Sequence, residues 1–499
     1  MYLSRSGGRG APRTHGIGPR RRIGAALAAL ATGSALALST AASPVQSSAA
    51  GGTEPARLSV EEVPGSVAYL RSEFGISESE ALARLDAQHA FEVNGDRVAT
   101  ALPASYAGIW LDQPRGEMVI RLVDVHDAGA ALRALGPVRI PVRFQAARWS
   151  LRDLERAQAA LAAINDRHVV SFVADVQRNA VVAWGPGDRI RPASFTVPRS
   201  VRATPGTLVT GLRSPAEIER RAQWLTAART SAVPGPSVVR TDLNSCREER
   251  YRGRRYFELC GGPPMRGGYR LDVTRSDTRE GRFGPCTVGF NVRGSNGHSY
   301  IITAGHCVTG SRHVGVDRVY HNGVPVAIEV GNLRHDRYPI DFALLRYTPA
   351  AGNHWLRGLS RNLVFYHCRD YSPVRCTPGT RNIAITGTVG AREVTVGTVA
   401  CHTGSATREQ GHPGWFPGTR CGRVKRFDQG IVLNNCGRSG DSGSGLFIES
   451  SRKAVAVLSG GTAFLGVCRP YEESTYTWVR IAFEEAHAAT GVTFDVYRS

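Results

Sequence analysis

Gly440-Asp441-Ser442-Gly443 decides the reading of this chain, because two other stretches stand with it. Thr303-Ala304-Gly305-His306-Cys307 lies upstream, and Ile340-Asp341-Phe342-Ala343-Leu344-Leu345 carries one acidic residue in an apolar run between them. A histidine, an aspartate and a serine thus follow one another in chain order. Each has a bland reading on its own. G-D-S-G is often a polar turn, a lone histidine is commonly a surface or satisfied core residue, and Asp341 could cap a turn or pair with Arg337. Together the three contexts fit one mechanism.

That mechanism needs a base, an orienting carboxylate and an anion site. A serine hydroxyl attacks well only when a neighbouring imidazole takes its proton. A buried carboxylate fixes the imidazole tautomer and stabilises its charged form. Ser442 is the candidate nucleophile, His306 the base and Asp341 the carboxylate. Asp341 sits among Ile340, Phe342, Ala343 and Leu344, where a carboxylate needs a partner. The N–H groups of Gly440 and Ser442 are the candidate oxyanion hole, which faces the oxygen that becomes negative.

Outward from these motifs, short apolar strands alternate with Gly-rich turns from about Asp242 to the end. Candidates are Cys286 to Val292, Ser299 to Thr303, Val324 to Val330, Asp341 to Tyr347, Ile383 to Val389 and Ala454 to Leu458. Such spacing predicts an all-β barrel or sandwich. Only Val479 to Thr490 reads as a helix of any length.

Residues 242–499 resemble the chymotrypsin-like serine proteases, specifically the secreted bacterial branch of streptogrisins and α-lytic protease. Thr303 to Cys307 is similar to the histidine motif of that family, Ile340 to Leu345 to its D-x-A-L-L segment, and Cys436 to Gly443 to the bacterial form of its serine motif. Leu458 to Gly461, followed by Cys468, resembles the substrate-binding strand and its cysteine. The chain departs from the family at Ser444, where a second glycine is usual, and around Asn353 to Thr380, which matches poorly. The resemblance implies two six-stranded β-barrels, with His306 and Asp341 from the first and Ser442 from the second. It implies the disulfides Cys286–Cys307, Cys401–Cys421 and Cys436–Cys468, which leaves Cys246–Cys260 and Cys368–Cys376 as the remaining pairs. It also implies that the Ser459 hydroxyl supports Asp341 and that the backbone of Ser459, Gly460 and Gly461 pairs with an extended substrate. The primary pocket would be framed by residues 437–439 and 459–461. No acidic residue stands there, so a neutral or apolar preference is the default, with Arg438 either meeting an acidic substrate or pointing to solvent.

The half before residue 242 is built differently. All ten cysteines of the 499-residue chain lie from Cys246 onward. In residues 51–185, Ser77 and Glu80 form a capping-box pattern ahead of Ala81, Leu82 and Leu85 at helical spacing. A hairpin follows at Tyr106 to Leu111 and Glu117 to Val123. Ser150 then caps a second helix bearing Leu154, Leu161 and Ile164, ahead of strand candidates Val169 to Val176 and Ala180 to Trp184. This helix-plus-hairpin plan used twice, with Tyr106 to Asp112, loosely resembles the pro-regions of the same bacterial enzymes. The resemblance implies an intramolecular partner that assists folding and inhibits until cleaved; a permanent accessory domain is the alternative. Residues 186–241, rich in Pro, Gly, Ser, Thr and Arg with a helical patch at Pro215 to Ala228, read as a linker and processing region.

Residues 1–50 read as an export signal: Arg20, Arg21 and Arg22 precede an apolar run from Ile23 to Leu38, with small residues after it. An uncleaved anchor is the alternative, and the run is short for a membrane span. Ten cysteines in an exported chain suggest five disulfides. His306–Cys307, His367–Cys368 and Cys401–His402 are neighbours, yet adjacent residues rarely aim at one zinc, so neither metal nor cofactor is expected. The formal charge of +20 comes from dispersed arginine. It reads as a solvated surface, or as attraction to anionic polymers, with no nucleic-acid module to use it. The expectation is a secreted, monomeric serine endopeptidase acting on protein or peptide, made as a precursor. Its rivals are a catalytically silent binding protein of the same fold and an esterase.

Overall fold

Several strands of the C-terminal half bury both faces, and this determines how the molecule is layered. The computed structural model describes residues 57–163, 171–184, 208–210, 262–274, 283–308, 318–321, 324–330, 333–337, 339–357, 361–367, 380–390, 392–405, 418–428, 430–438, 440–461 and 472–499. Along Ser299–Thr303, Ile301 enters one core while Tyr300 and Ile302 enter another. Ala343 and Leu345 alternate in the same way with Phe342 and Leu344. Successive side chains of a strand point to opposite faces, so a near-continuous apolar run is what a doubly covered strand requires.

Two barrels result. In the first, paired strands run in the order Phe494–Val496, Phe290–Gly294, Ser299–Thr303, Ile340–Tyr347, Val324–Ile328, Arg318–His321, Arg270–Thr274 and Phe283–Thr287, with Arg334–Arg337 also against Ile340–Tyr347. The second is a closed six-stranded ring: Lys453–Gly461, Gly445–Ile448, Val399–Gly404, Gly418–Phe427, Ile431–Leu433, Ser474–Trp478 and back to Lys453–Gly461. Its interior holds Ala400, Val424, Leu433, Leu446, Ala456 and Tyr476. The outward residues Val399, Cys401, Phe447 and Val457 join the core shared with the first barrel. The run from Cys286 to Val292, expected as one strand, is two strands interrupted at Val288 and Gly289, because Gly289 N–H leaves its strand to donate to Ile302. Ile383 to Val389 likewise divides into Thr380–Ala384 and Gly387–Thr388. A short helix, Pro349–Trp355, is capped by Thr348, and the expected helix Val479–Thr490 forms over that span.

In the N-terminal half, helix α1 spans Pro64–Phe74 and α2 spans Glu78–Ala101, whose N-cap Ser77 accepts from Glu80 N. Strand β1 (Tyr106–Asp112) forms a hairpin with β2 (Glu117–Leu122). After α3 (Ala128–Leu135), β3 (Val142–Ala146) adds in parallel to β2. The second copy of the plan is α4 (Leu151–Ala163), with Ser150 Oγ accepting from Asp153 N, then β4 (Ser171–Asp175) and β5 (Ala180–Trp184). Leu208–Thr210, inside the stretch expected to be linker, pairs in parallel with β5 as β6. Pro215 to Ala228 and the export signal lie outside the described residues.

Helix α1 was not legible in the sequence. Its buried surface includes Gly65, Ser66 and Ala68 beside Val67 and Leu70, so no broad apolar stripe marks it. It packs on Val399–Gly404 and Gly418–Phe427 of the second barrel. Val63, Val67 and Leu70 share a core with Tyr366, Cys401, Cys421 and Phe447. The buried Glu449 carboxylate accepts from Gly65 N at 3.3 Å and Ser66 N at 2.6 Å, which satisfies amides that a helix start otherwise leaves without acceptors. Other joints lie nearby. The Gln88 amide exchanges hydrogen bonds with the backbone of Val399 at 2.7 and 3.1 Å, Leu111 N–H donates to Val396 O at 3.0 Å, and Arg392 reaches Glu155 with two nitrogens.

A side chain at position 65 has no room. A Cβ there would lie 2.7 Å from Cys421 Sγ and would also meet the Tyr366 hydroxyl. Gly65→Val in the full chain carrying Ser442→Ala is expected to lower stability by about 1–3 kcal/mol. Urea unfolding of both proteins checks this, and equal midpoints would show that α1 can lift off at no cost.

Candidate active site

Three elements deliver the site. His306 lies on a single 3-10 turn, Gly305–Cys307, that follows the strand Ser299–Thr303. Asp341 is the second residue of Ile340–Tyr347. Ser442 lies on the turn that feeds Gly445–Ile448 of the second barrel. The disulfide Cys286–Cys307 ties the residue next to His306 to the strand Phe283–Thr287.

Their side chains meet in a line. His306 Nδ1 is 2.7 Å from Asp341 Oδ2, and His306 Nε2 is 2.8 Å from Ser442 Oγ. Asp341 is 2% exposed, so its charge depends on its partners. Oδ1 accepts from His306 N at 2.9 Å, and Oδ2 also accepts from Ser459 Oγ at 2.6 Å. Burial alone would push this carboxyl up; the His306 charge, the His306 hydrogen bonds and the Ser459 hydroxyl outweigh it and hold it below the usual carboxylate range. An ionised Asp341 accepts from Nδ1–H, which leaves Nε2 bare to accept the Ser442 proton.

The serine loop is braced on several sides. Asp441 is fully buried and its Oδ2 accepts from Arg420 at 2.7 Å and from Arg438 N at 3.0 Å. Gly440 has φ of +98°, a conformation open chiefly to glycine. Among the described residues, the N–H groups of Gly440 and Ser442 have no protein acceptor. Ser444, where the family usually has glycine, is fully buried, and its N–H donates to Asp441 O at 2.9 Å.

Arg438 does not point to solvent. It is 5% exposed, and its Nη2 lies 3.1 Å from Oε2 of the equally buried Glu472. Nothing in the motif around Arg438 signals this partner, which lies 34 residues later. Arg420 was missed for the same reason. Ser459 is buried, Gly460 O accepts from Thr475 Oγ1 at 3.3 Å, and Gly461 pairs with Ser474.

Cys401–Cys421 forms between directly opposed residues of neighbouring strands. Cys436 is disulfide-bonded; its expected partner Cys468 lies outside the described residues, as do Cys246, Cys260, Cys368 and Cys376. Cys401, Cys421 and Glu449 cluster closely, but the two sulfurs are bonded to each other and hold no thiolate for a metal.

Two barrels joined by a histidine, a carboxylate and a serine are the architecture of chymotrypsin-like serine proteases. The comparisons with known proteins agree with that class. No family model matches the chain. "Serine protease 2" of Streptomyces fradiae is 27% identical over 199 residues, which is 37% of this chain and 90% of that protein. Among solved structures, Nocardiopsis protease is 22% identical with a TM-score of 0.31, covering 46% of this chain and 97% of its own. Cellulomonas bogoriensis chymotrypsin is 23% identical with a TM-score of 0.29, covering 47% and 100%. By sequence, 37% of the chain is thus similar to a bacterial serine protease.

One histidine beneath the serine loop carries a pH dependence. His402 is fully buried, with Nδ1 2.6 Å from the Tyr476 hydroxyl and 3.1 Å from Asn435 Nδ2. Burial pushes the ring's pKa down to about 4 from 6.5. Between these values the unfolded chain holds a proton that the folded chain lacks, so stability falls as pH drops through the window. The loss is expected to reach roughly 3 kcal/mol by pH 4. Unfolding of Ser442→Ala with and without His402→Gln, at pH 7 and pH 4, checks this: the second protein should lose less.

Proposed function

We propose that this protein is an exported serine endopeptidase, made as a precursor, that hydrolyses peptide bonds through an acyl-enzyme. The observation that carries the reading is the unbroken line from the buried Asp341 through His306 to Ser442 Oγ. His306 Nε2 takes the Ser442 proton as Oγ attacks the substrate carbonyl. Gly440 and Ser442 N–H receive the oxyanion. The imidazolium, stabilised by Asp341, returns the proton to the departing amine, and water repeats the sequence to release the acid. The strand Ser459–Gly461 binds the extended substrate chain beside the nucleophile.

A neutral side chain before the scissile bond suits this site. The charge of Arg438, at the edge of the expected pocket, is balanced by Glu472. The N-terminal half acts as the intramolecular partner of the precursor, and its docking on the second barrel supports that role. Among the described residues, no helix is long and apolar enough to cross a membrane.

A fluorophosphonate probe should label the wild type and not Ser442→Ala. Asp341→Asn should lower kcat on a peptide anilide by about four orders of magnitude, because the imidazole then loses its orienting charge. Equal labelling of wild type and Ser442→Ala would overturn the reading. Hydrolysis of esters without hydrolysis of any peptide would restrict it to an esterase.

A further inference from the structure

The two candidate oxyanion donors are separated by one peptide unit, the Gly440–Asp441 amide. Glycine at 440 gives that unit wide rotational freedom, so something else must hold it. Both of its ends are held. Asp441 N–H donates to Arg438 O at 2.8 Å. Gly440 O accepts from Thr287 Oγ1 at 2.7 Å; the single Ser405 hydroxyl proton is within reach of Gly440 O at 3.3 Å and of Cys286 O at 3.1 Å. The two hydroxyls lie 2.7 Å apart, and Ser405 N–H donates to Thr287 Oγ1 at 3.1 Å. Thr287 is fully buried and Ser405 is 1% exposed.

Thr287 grips the loop a second time. Its N–H donates to Ser442 O at 2.8 Å, and its own carbonyl accepts from Thr303 Oγ1 at 2.9 Å. One first-barrel residue therefore holds the carbonyls on both sides of Asp441. Thr303 begins the stretch that carries His306, so the same chain of bonds reaches the base. The two carbonyls held by Thr287 belong to the peptide units on either side of the one that bears Ser442 N–H. That unit's own carbonyl, Asp441 O, accepts from Ser444 N at 2.9 Å, so the Ser442 N–H is left little freedom to turn. The Gly440 N–H lies across one α-carbon from the held Gly440 carbonyl.

The geometry points to Thr287, assisted by Ser405, as the positioning residue for the oxyanion hole. Its hydroxyl holds the Gly440 carbonyl and so keeps both donors aimed at the developing negative charge. This assignment rests on the serine-endopeptidase reading. Thr287→Val keeps the shape and the backbone N–H but removes the hydroxyl, leaving Gly440 O with only the Ser405 hydroxyl, for which Cys286 O competes. Rotation of the peptide then recovers hydrogen bonding at the expense of donor alignment. An oxyanion donor acts on the transition state more than on the bound substrate. Outright loss of one donor costs about 10²–10³ in kcat, so misalignment should cost about tenfold or more.

The test uses unlabelled full-length enzyme, with a separate aliquot titrated by fluorophosphonate to count active sites, and a neutral-P1 peptide anilide. Thr287→Val should lose about tenfold or more in kcat with KM little changed, and its affinity for a peptide boronic acid, which mimics the tetrahedral state, should fall in parallel. Thr287→Ser, which restores a hydroxyl, should recover most of both. Ser405→Ala, which removes the second hydroxyl, should give a smaller loss of the same kind; it stands in for Thr287→Val if that variant does not fold. Wild-type kcat and boronate affinity in Thr287→Val, or in Ser405→Ala where it substitutes, would overturn the assignment. So would a change confined to stability or KM. A wild type that never labels would instead overturn the endopeptidase reading, which separates the two failures.

Discussion

The buried carboxylate of Asp341 is the constraint on which the two-barrel half depends. Almost without exposure to water, it holds its charge only while donors surround it. These come from the turn that carries His306 and from Ser459 of the second barrel. The Asp341 N–H goes to Thr477 Oγ1, again in the second barrel. Meeting the carboxylate's needs thus fixes the base and draws the barrels together. Replacing it by an apolar residue would leave His306 and Ser459 without their acceptor, so the cost would reach well beyond one hydrogen bond.

Much of this was legible because the site is encoded in short contiguous runs. Residues that make a tight turn, end a strand or interrupt an apolar run are visible one at a time. The doubly buried strands were also legible, since covering both faces demands a continuous apolar stretch such as Phe342 to Leu345. What escaped were relations between distant positions. Arg438 with Glu472, Arg420 with Asp441, and Thr287 with Gly440 are each separated by many residues and lack periodicity. A hydroxyl that holds a carbonyl looks no different, in one sequence, from a hydroxyl on a surface.

Helix α1 shows the same limit at the level of an element. Amphipathic helices are recognised by apolar residues at helical spacing, whereas α1 approaches its neighbour through Gly65 and Ser66. Close approach brings its first amides within reach of Glu449, and the buried carboxyl and the helix start satisfy each other. The N-terminal half is therefore joined to the second barrel by fitted polar contacts as well as by apolar area.

The bond between Cys401 and Cys421 has a consequence for what cutting the chain would do. It closes a loop of sequence separation 20 by joining strands already paired in register. A single nick between residues 402 and 420 would leave both new ends covalently attached through the sulfurs. Such damage would stay hidden on a non-reducing gel and appear as two pieces only after reduction.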